Sequence, residues 1–329
     1  SANASYVVNG GQVNNNDKGL GISNELKFAA SGELDNGFTW DYFMELDGND
    51  SGAHDNDDSQ LKIGMGGMGT LYINDSEGGL STETADGIGA VGIGSDFANT
   101  ADFVGNALDV SDTGNIQYDT PADILPFGIQ ASIAYVPNNS DGDNNSYKST
   151  GAVNTAGGTG QNETMYRLKA SPIEGLSLAA DYFTVGGVTG TNRQEEEAGG
   201  WAANYAIGNL EIGYKERYYS PAVGTAAISA GAYNYELTGI GVELALNDAV
   251  SVSYSEEEST KKSYGAAVNA AAGASPFTRT TVTFESQFLM LAYDIGGATV
   301  GLTSVESSNS GYSAGADTTK TLATLAMAF

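Results

Sequence analysis

The connections between segments, more than any one segment, constrain what this chain can fold into. Tight turn signals recur at 35–37, 66–69, 120–126, 171–175, 207–209, 247–249 and 295–297, seven in all, each between two stretches of alternating hydrophobicity. The clearest is Asp35-Asn36-Gly37, between Glu25-Leu-Lys-Phe-Ala-Ala and Phe38-Thr-Trp-Asp-Tyr-Phe-Met-Glu-Leu46. Long polar stretches rich in Gly, Asn and Asp alternate with these turns, at 9–19, 47–59, 74–114, 137–162, 184–199, 219–233, 256–281 and 305–319. Seven short connections and eight long ones join sixteen strands, with both ends of the chain on the short-turn side.

The individual strands are two-faced. Phe38, Trp40, Tyr42, Met44 and Leu46 share one face, with Thr39, Asp41 and Glu45 on the other. Leu61, Ile63 and Met65 oppose Gln60 and Lys62 in the same way, and Leu210, Ile212, Tyr214 and Tyr218 oppose Glu211, Lys215 and Arg217. The final segment, Thr321-Leu-Ala-Thr-Leu-Ala-Met-Ala-Phe329, alternates up to an aromatic. It is expected to be the closing strand of an outer-membrane barrel, paired with the strand around Tyr6-Val-Val8, its ring in the girdle at the bilayer edge. Tyr42, Tyr135, Tyr182, Trp201, Tyr205, Tyr218, Tyr235, Tyr254 and Tyr293 fall near strand ends, where girdle residues belong. No apolar run reaches the roughly 18 residues of a spanning helix, but barrel strands of about 10 alternating residues would produce none. The expected fold is therefore all-β: one domain (1–329), a 16-stranded antiparallel transmembrane β-barrel with short periplasmic turns and long extracellular loops. A start at Ser1-Ala-Asn-Ala fits a mature chain whose signal peptide has been removed.

Composition narrows the chemistry. Cysteine is absent, which excludes disulfides, thiolate metal sites and cysteine nucleophiles. A net charge of -28 excludes nucleic acid as a partner. His54 is the only histidine, so Ser-His-Asp chemistry and His-rich zinc sites lack material; the chain is expected not to be an enzyme and to require no cofactor. One stretch approximates a calcium loop: Asp47, Asn49 and Ser51 supply oxygens, Gly52 is sixth and Asp58 twelfth, without flanking helices or a closing Glu. A loop-bound Ca²⁺ stands there against a plain hydrated acidic loop, and Asp141, Asp143 and Asn145 form a second, weaker candidate.

Gly114-Asn-Ile-Gln-Tyr-Asp-Thr-Pro121, followed by Phe127-Gly-Ile-Gln-Ala-Ser-Ile-Ala-Tyr135, resembles a hairpin of the Gram-negative general porins, where Asn-x-(Ile/Val)-x-Tyr-Asp-(Ser/Thr)-Pro follows the third loop. Ser95-Asp-Phe-Ala-Asn and Ala101-Asp-Phe-Val-Gly are similar to the acidic, Phe-containing constriction loop of that family. The resemblance implies a homotrimeric, water-filled diffusion channel of the outer membrane, its third loop (about 74–114) folded inward to narrow the pore. It also implies that Glu195, Glu196, Glu197, Glu256, Glu257 and Glu258 are rim charges reaching lipopolysaccharide through divalent ions. One position departs from the family: Gln117 stands where such porins often carry an eyelet Arg, so the basic wall must be built elsewhere or be weaker.

A pore selects by width and by the charges that line it. By alternation Lys27, Lys62, Arg167, Lys169, Lys215 and Arg217 lie on the polar face, the lumen side of a barrel. Facing them, the third loop supplies Glu77, Glu83, Asp86, Asp96, Asp102, Asp109 and Asp112. Opposed rows of this kind make a transverse field that orients dipolar solutes; the competing reading is that they are wall–loop ion pairs that only pin the loop. The acidic excess predicts a preference for cations. Two other functions compete with general diffusion of small hydrophilic solutes. One is a substrate-specific channel, for which the candidate lumen aromatics Tyr72, Phe43 and Phe183 are scattered; the other is a secreted calcium-binding β protein.

Overall fold

A computed structural model describes residues 2–11, 18–22, 25–48, 54–75, 80, 103–104, 109–110, 114–121, 124–137, 162–186, 192–224, 231–264 and 279–327. Among the described residues the chain is all-β, with only single-turn 3₁₀ segments besides. Its first half holds β1 (Ala2–Gly11), β2 (Lys18–Ile22), β3 (Glu25–Glu33), β4 (Thr39–Gly48), β5 (His54–Gly64), β6 (Thr70–Asp75), β7 (Asn115–Asp119), β8 (Gln130–Val136) and β9 (Asn162–Ile173). The second holds β10 (Leu176–Gly186), β11 (Asn192–Gln194), β12 (Glu197–Ile207), β13 (Leu210–Ser220), β14 (Val223–Gly224), β15 (Gly231–Asn247), β16 (Val250–Tyr264), β17 (Arg279–Asp294), β18 (Ala298–Ser308) and β19 (Thr318–Met327). No described helix is long and apolar enough to cross a membrane, which says nothing of strands.

Seventeen strands form one sheet, and β11 with β14 a small second one. From β3 onward every strand of the large sheet pairs antiparallel with the next. β19 then pairs with β1, setting Tyr6 against Ala323 and Val8 against Thr321, the partner strand expected from the sequence. β1 pairs in turn with β2, so the ladder runs from β3 round to β2, two strands consecutive in the chain.

All seven expected connections fall between paired strands, though the one expected at 120–126 runs on through a 3₁₀ turn (Pro126–Gly128) to Ile129, and three use one device. The side chains of Asn36, Asn247 and Asp294 each accept the backbone N–H two residues on, at 3.1, 2.9 and 2.7 Å, closing the hairpin without another residue. Pro172 lies inside β9, so the turn at 171–175 narrows to Glu174-Gly175. The long stretches are shorter than expected where both faces of a strand are polar. β5 begins at His54, inside the stretch 47–59, and β16 continues to Tyr264, taking in the first nine residues of the stretch 256–281. Alternation is invisible to hydropathy in His54-Asp-Asn-Asp-Asp or Ser255-Glu-Glu-Glu-Ser, and the backbone ladder carries both into the sheet.

Burial follows the alternation: β7 reads buried–exposed through Asn115–Asp119, and β17 does so from Phe284 to Met290. The exposed face carries a belt of large apolar groups, among them Leu168, Ile212, Ile240, Leu289 and Leu302. Tyr42, Tyr135, Tyr182, Trp201, Tyr205, Tyr254 and Tyr293 lie on that face as girdle residues should. Tyr235 does not: it is 8% exposed and packs on the opposite face.

Candidate pore-lining site

Three adjacent registers of the buried face build the site. The first runs Gln117–Ala134–Met165–Phe183–Ala198–Tyr219–Tyr235–Lys261–Val282, each residue directly opposite the next. It is apolar through most of its length. The third connection, between β6 and β7, packs onto it. Leu80 and Val110 join Ala134, Val136, Met165, Phe183, Val185 and Ala198 in one cluster, and Tyr219 packs against it. Phe103 joins Tyr235, Leu237, Phe284 and Tyr312 in a second, where Tyr219 also packs.

Next toward the tight turns is a charged register, Asp119–Ser132–Arg167–Asp181–Gly200–Arg217–Leu237–Ser259–Phe284. The third runs Gln130–Lys169–Ala179–Ala202–Lys215–Gly239–Glu257–Ser286. A glycine in each lets a long cation on β13 lie across a neighbouring strand. Arg217 crosses Gly200 on β12 and donates Nη1–H to Asp181 Oδ2 on β10 at 2.6 Å. Lys215 crosses Gly239 on β15 in the opposite direction and meets Glu257 Oε1 on β16 at 2.7 Å. A Cβ at 200 would collide with Arg217 Cγ, and one at 239 would come within 3.0 Å of Lys215 Cε. Lys215 is 1% exposed and Arg217 4%, so both are held inside the wall.

The remaining sequence-selected cations are placed differently. Arg167 is buried and donates Nη2–H to Ser132 Oγ at 3.3 Å. It also acts electrostatically on Tyr72 of β6 and on Asp181 of β10. Gln117 itself donates to Asp119 Oδ1 at 3.1 Å. Lys169 is half-buried opposite Gln130. Lys27 is half-exposed, paired with Glu45 at 3.1 Å and standing 3.8 Å over the Phe43 ring. Lys62 lies 6.0 Å from the Tyr72 ring centroid.

Of the expected third-loop acids, Glu77, Glu83, Asp86, Asp96, Asp102 and Asp112 lie outside the described residues. Asp109 is described: its Oδ2 accepts the N–H of Leu80 at 2.5 Å and its Oδ1 that of Val110 at 2.7 Å, joining the two roots of the connection. It lies close enough to Asp181 to act on it electrostatically. The structure therefore gathers Arg167, Arg217 and Asp109 around Asp181, and leaves Lys27 and Lys62 elsewhere on the wall. Asp47 and Asp58 fall within the β4–β5 ladder, Asp47 opposite Asp55, while Asn49 and Ser51 are outside the described residues, as are Asp141, Asp143 and Asn145. Glu256, Glu257 and Glu258, expected at the rim, belong to β16, and Glu257 serves the inner pair with Lys215.

The sequence reading missed Tyr312, marked Phe103 only through the constriction-loop resemblance of Ala101-Asp-Phe-Val-Gly, and took Tyr235 for a girdle residue. Direct pairing of Tyr219 with Tyr235 in the β13–β15 hairpin register was the available signal for the latter; Tyr312 sits in a loop where periodicity says nothing.

No family model and no curated protein sequence matches the chain. Solved structures do. An anion-selective porin from Comamonas acidovorans aligns over 100% of this chain and 97% of its own, at 14% identity and TM-score 0.65. OmpF of Salmonella typhi, in complex with daunomycin, aligns over 99% and 97%, at 9% identity and TM-score 0.62. OmpT of Vibrio cholerae, an outer membrane protein, aligns in its trimer form over 99% and 98%, at 13% identity and TM-score 0.58. The fold is that of these solved porins.

Proposed function

We propose that this protein is an outer-membrane porin: a homotrimer, each protomer a water-filled channel for passive diffusion of small hydrophilic solutes and ions, with a preference for cations. In this reading β2 and β3 are two stretches of one strand, which makes sixteen strands and closes the ladder between β1 and β4. The third connection then lies inside the barrel and forms the constriction. The observation that carries the proposal is the packing of Leu80, Phe103 and Val110 on the face that bears Arg167, Asp181, Lys215 and Arg217, while the opposite face carries the exposed apolar belt. A chain with charge inside and aliphatic groups outside is built for hydrocarbon around it and water within.

Cation preference follows from charge. Lys215 and Arg217 are consumed by wall carboxylates, Lys27 by Glu45, and the chain as a whole carries -28. The Comamonas porin is described as anion-selective, and an identity of 14% carries only the fold. Reversal potential in a planar bilayer under a tenfold KCl gradient is expected to show K⁺ permeating ahead of Cl⁻; a clear anion potential would overturn the selectivity. Liposome swelling with sugars of graded size is expected to fall smoothly, whereas one favoured solute would mark a substrate-specific channel.

A further inference from the structure

The far end of the third connection is held by a clasp of five rings. Phe103 meets Phe284 of β17 with centroids 4.6 Å apart. Phe284 meets Tyr312 edge-on at 5.6 Å, Tyr312 meets Tyr235 of β15 edge-on at 5.3 Å, and Tyr235 stacks on Tyr219 at 5.8 Å. Tyr312 belongs to the last loop, between β18 and β19, so the clasp joins two loops far apart in the chain. Its hydroxyl is the pin. It accepts the N–H of Val104 in the third connection at 3.1 Å and shares a 2.7 Å hydrogen bond with Ser259 Oγ on β16. Lys261 stands 5.6 Å over the ring.

The last loop is built to present that ring. Asn309, Gly311 and Tyr312 all adopt left-handed backbone, at φ 50, 62 and 58. An aromatic residue in that region is strained and persists only where its surroundings over-determine it. Here they do: Asn309 Nδ2 donates to Thr283 O at 2.8 Å, Asn309 Oδ1 accepts from Gly315 N–H at 2.9 Å, and Ser310 N–H donates to Ala316 O at 2.7 Å. Strain at Tyr312 is maintained where a relaxed loop would leave Val104 without its partner.

We infer that Tyr312 is the positioning residue of the pore: it fixes the far end of the third connection against the opposite wall and so sets the width and steadiness of the constriction. The Asp109 brace holds one end, the Tyr312 hydroxyl the other, and the connection is a strut tied at two points. This rests on the channel reading, and the test separates the two. The full-length protein is refolded in detergent as wild type, Tyr312→Phe and Ser259→Ala. Tyr312→Phe keeps the ring and removes both hydroxyl bonds; Ser259→Ala removes one and leaves the loop untouched.

Hydrogen exchange read by mass spectrometry on the peptide containing Val104 is expected to quicken about tenfold in Tyr312→Phe, the factor that loss of one hydrogen bond sets. The rise in Ser259→Ala should be smaller. In planar bilayers the same order is expected for open-channel noise and for the ease of voltage closure. Unchanged exchange and unchanged noise in both variants would overturn the inference. A wild type that folds but never conducts would remove the channel reading, while the exchange of Val104 would still decide whether the tether exists.

Discussion

At the scale of single residues, the wall cations behave differently from exposed ones. A solvated Lys or Arg on a pore wall offers a charge to passing ions. Lys215 and Arg217 offer theirs to Glu257 and Asp181, and reach those acids only because Gly239 and Gly200 leave the intervening strand bare. Buried pairs of this kind add little net stability when intact, but removing one member costs about 3–5 kcal/mol, since the other is left charged in a poor solvent. Gly200→Ala should therefore act through the ion pair, forcing Arg217 off Asp181. Its unfolding midpoint in urea is expected to fall by the equivalent of about 2–3 kcal/mol. Gly239→Ala, whose Cβ meets the bendable Lys215 chain at 3.0–3.2 Å, should cost less. The reverse order would show that the glycines serve some purpose other than passage.

At the scale of elements, the third connection is the part on which the proposed channel depends, and Asp109 ties its roots. Two N–H groups, of Leu80 and Val110, donate to one carboxylate, each bond to a charged group contributing about 1.5–3 kcal/mol. Asp109→Ala is expected to leave the sheet folded while the connection becomes the first site cut in limited proteolysis; a digestion pattern identical to wild type would count against the brace. Much of this element level was legible in the sequence. Turns announce themselves through Asn-Gly, Asn-Asp and Gly-Gly, and the one-sided strands through period-two hydropathy. What could not be read was polar on both faces: the upper halves of β5 and β16 look like loop until the ladder supplies their order. The clasp was hidden for another reason. Val104 and Tyr312, joined by a hydrogen bond, lie 208 residues apart in separate connections, and neither alternation nor a local motif relates them.

For the whole molecule, the long sector is informative. β15, β16 and β17 are 17, 15 and 16 residues long, about 50 Å or more of strand, well beyond a hydrophobic belt of roughly 25 Å even when tilted. The wall on that side is expected to project past the bilayer on the long-loop face. Its outward Glu236, paired with Lys262, and Glu256 and Glu258 would then stand in the headgroup region. If the ladder closes between β1 and β4 as proposed, the protein should resist detergent: unheated samples are expected to run on gels as a compact oligomer and boiled samples as unfolded monomer near 33.8 kDa. A single unchanging band at monomer size would remove the trimer. The all-β antiparallel order was legible because turns and alternation are local signals, whereas the large sheet has seventeen strands where sixteen were expected. Which cations face water was not, because two strands of uniform alternation differ only by a glycine.

The pairing of β1 with β19 also fixes a timetable. Ala2 lies opposite Met327, so β1 takes one of its two partners from more than 300 residues along the chain. Closing so large a loop is entropically slow, and contacts of such separation delay folding. Until β19 arrives, both β1 and β18 present open edges to any other chain. The unfinished protein must therefore be kept apart from its own copies until these strands meet, and the ladder is completed only once the ten residues of β19 are in hand.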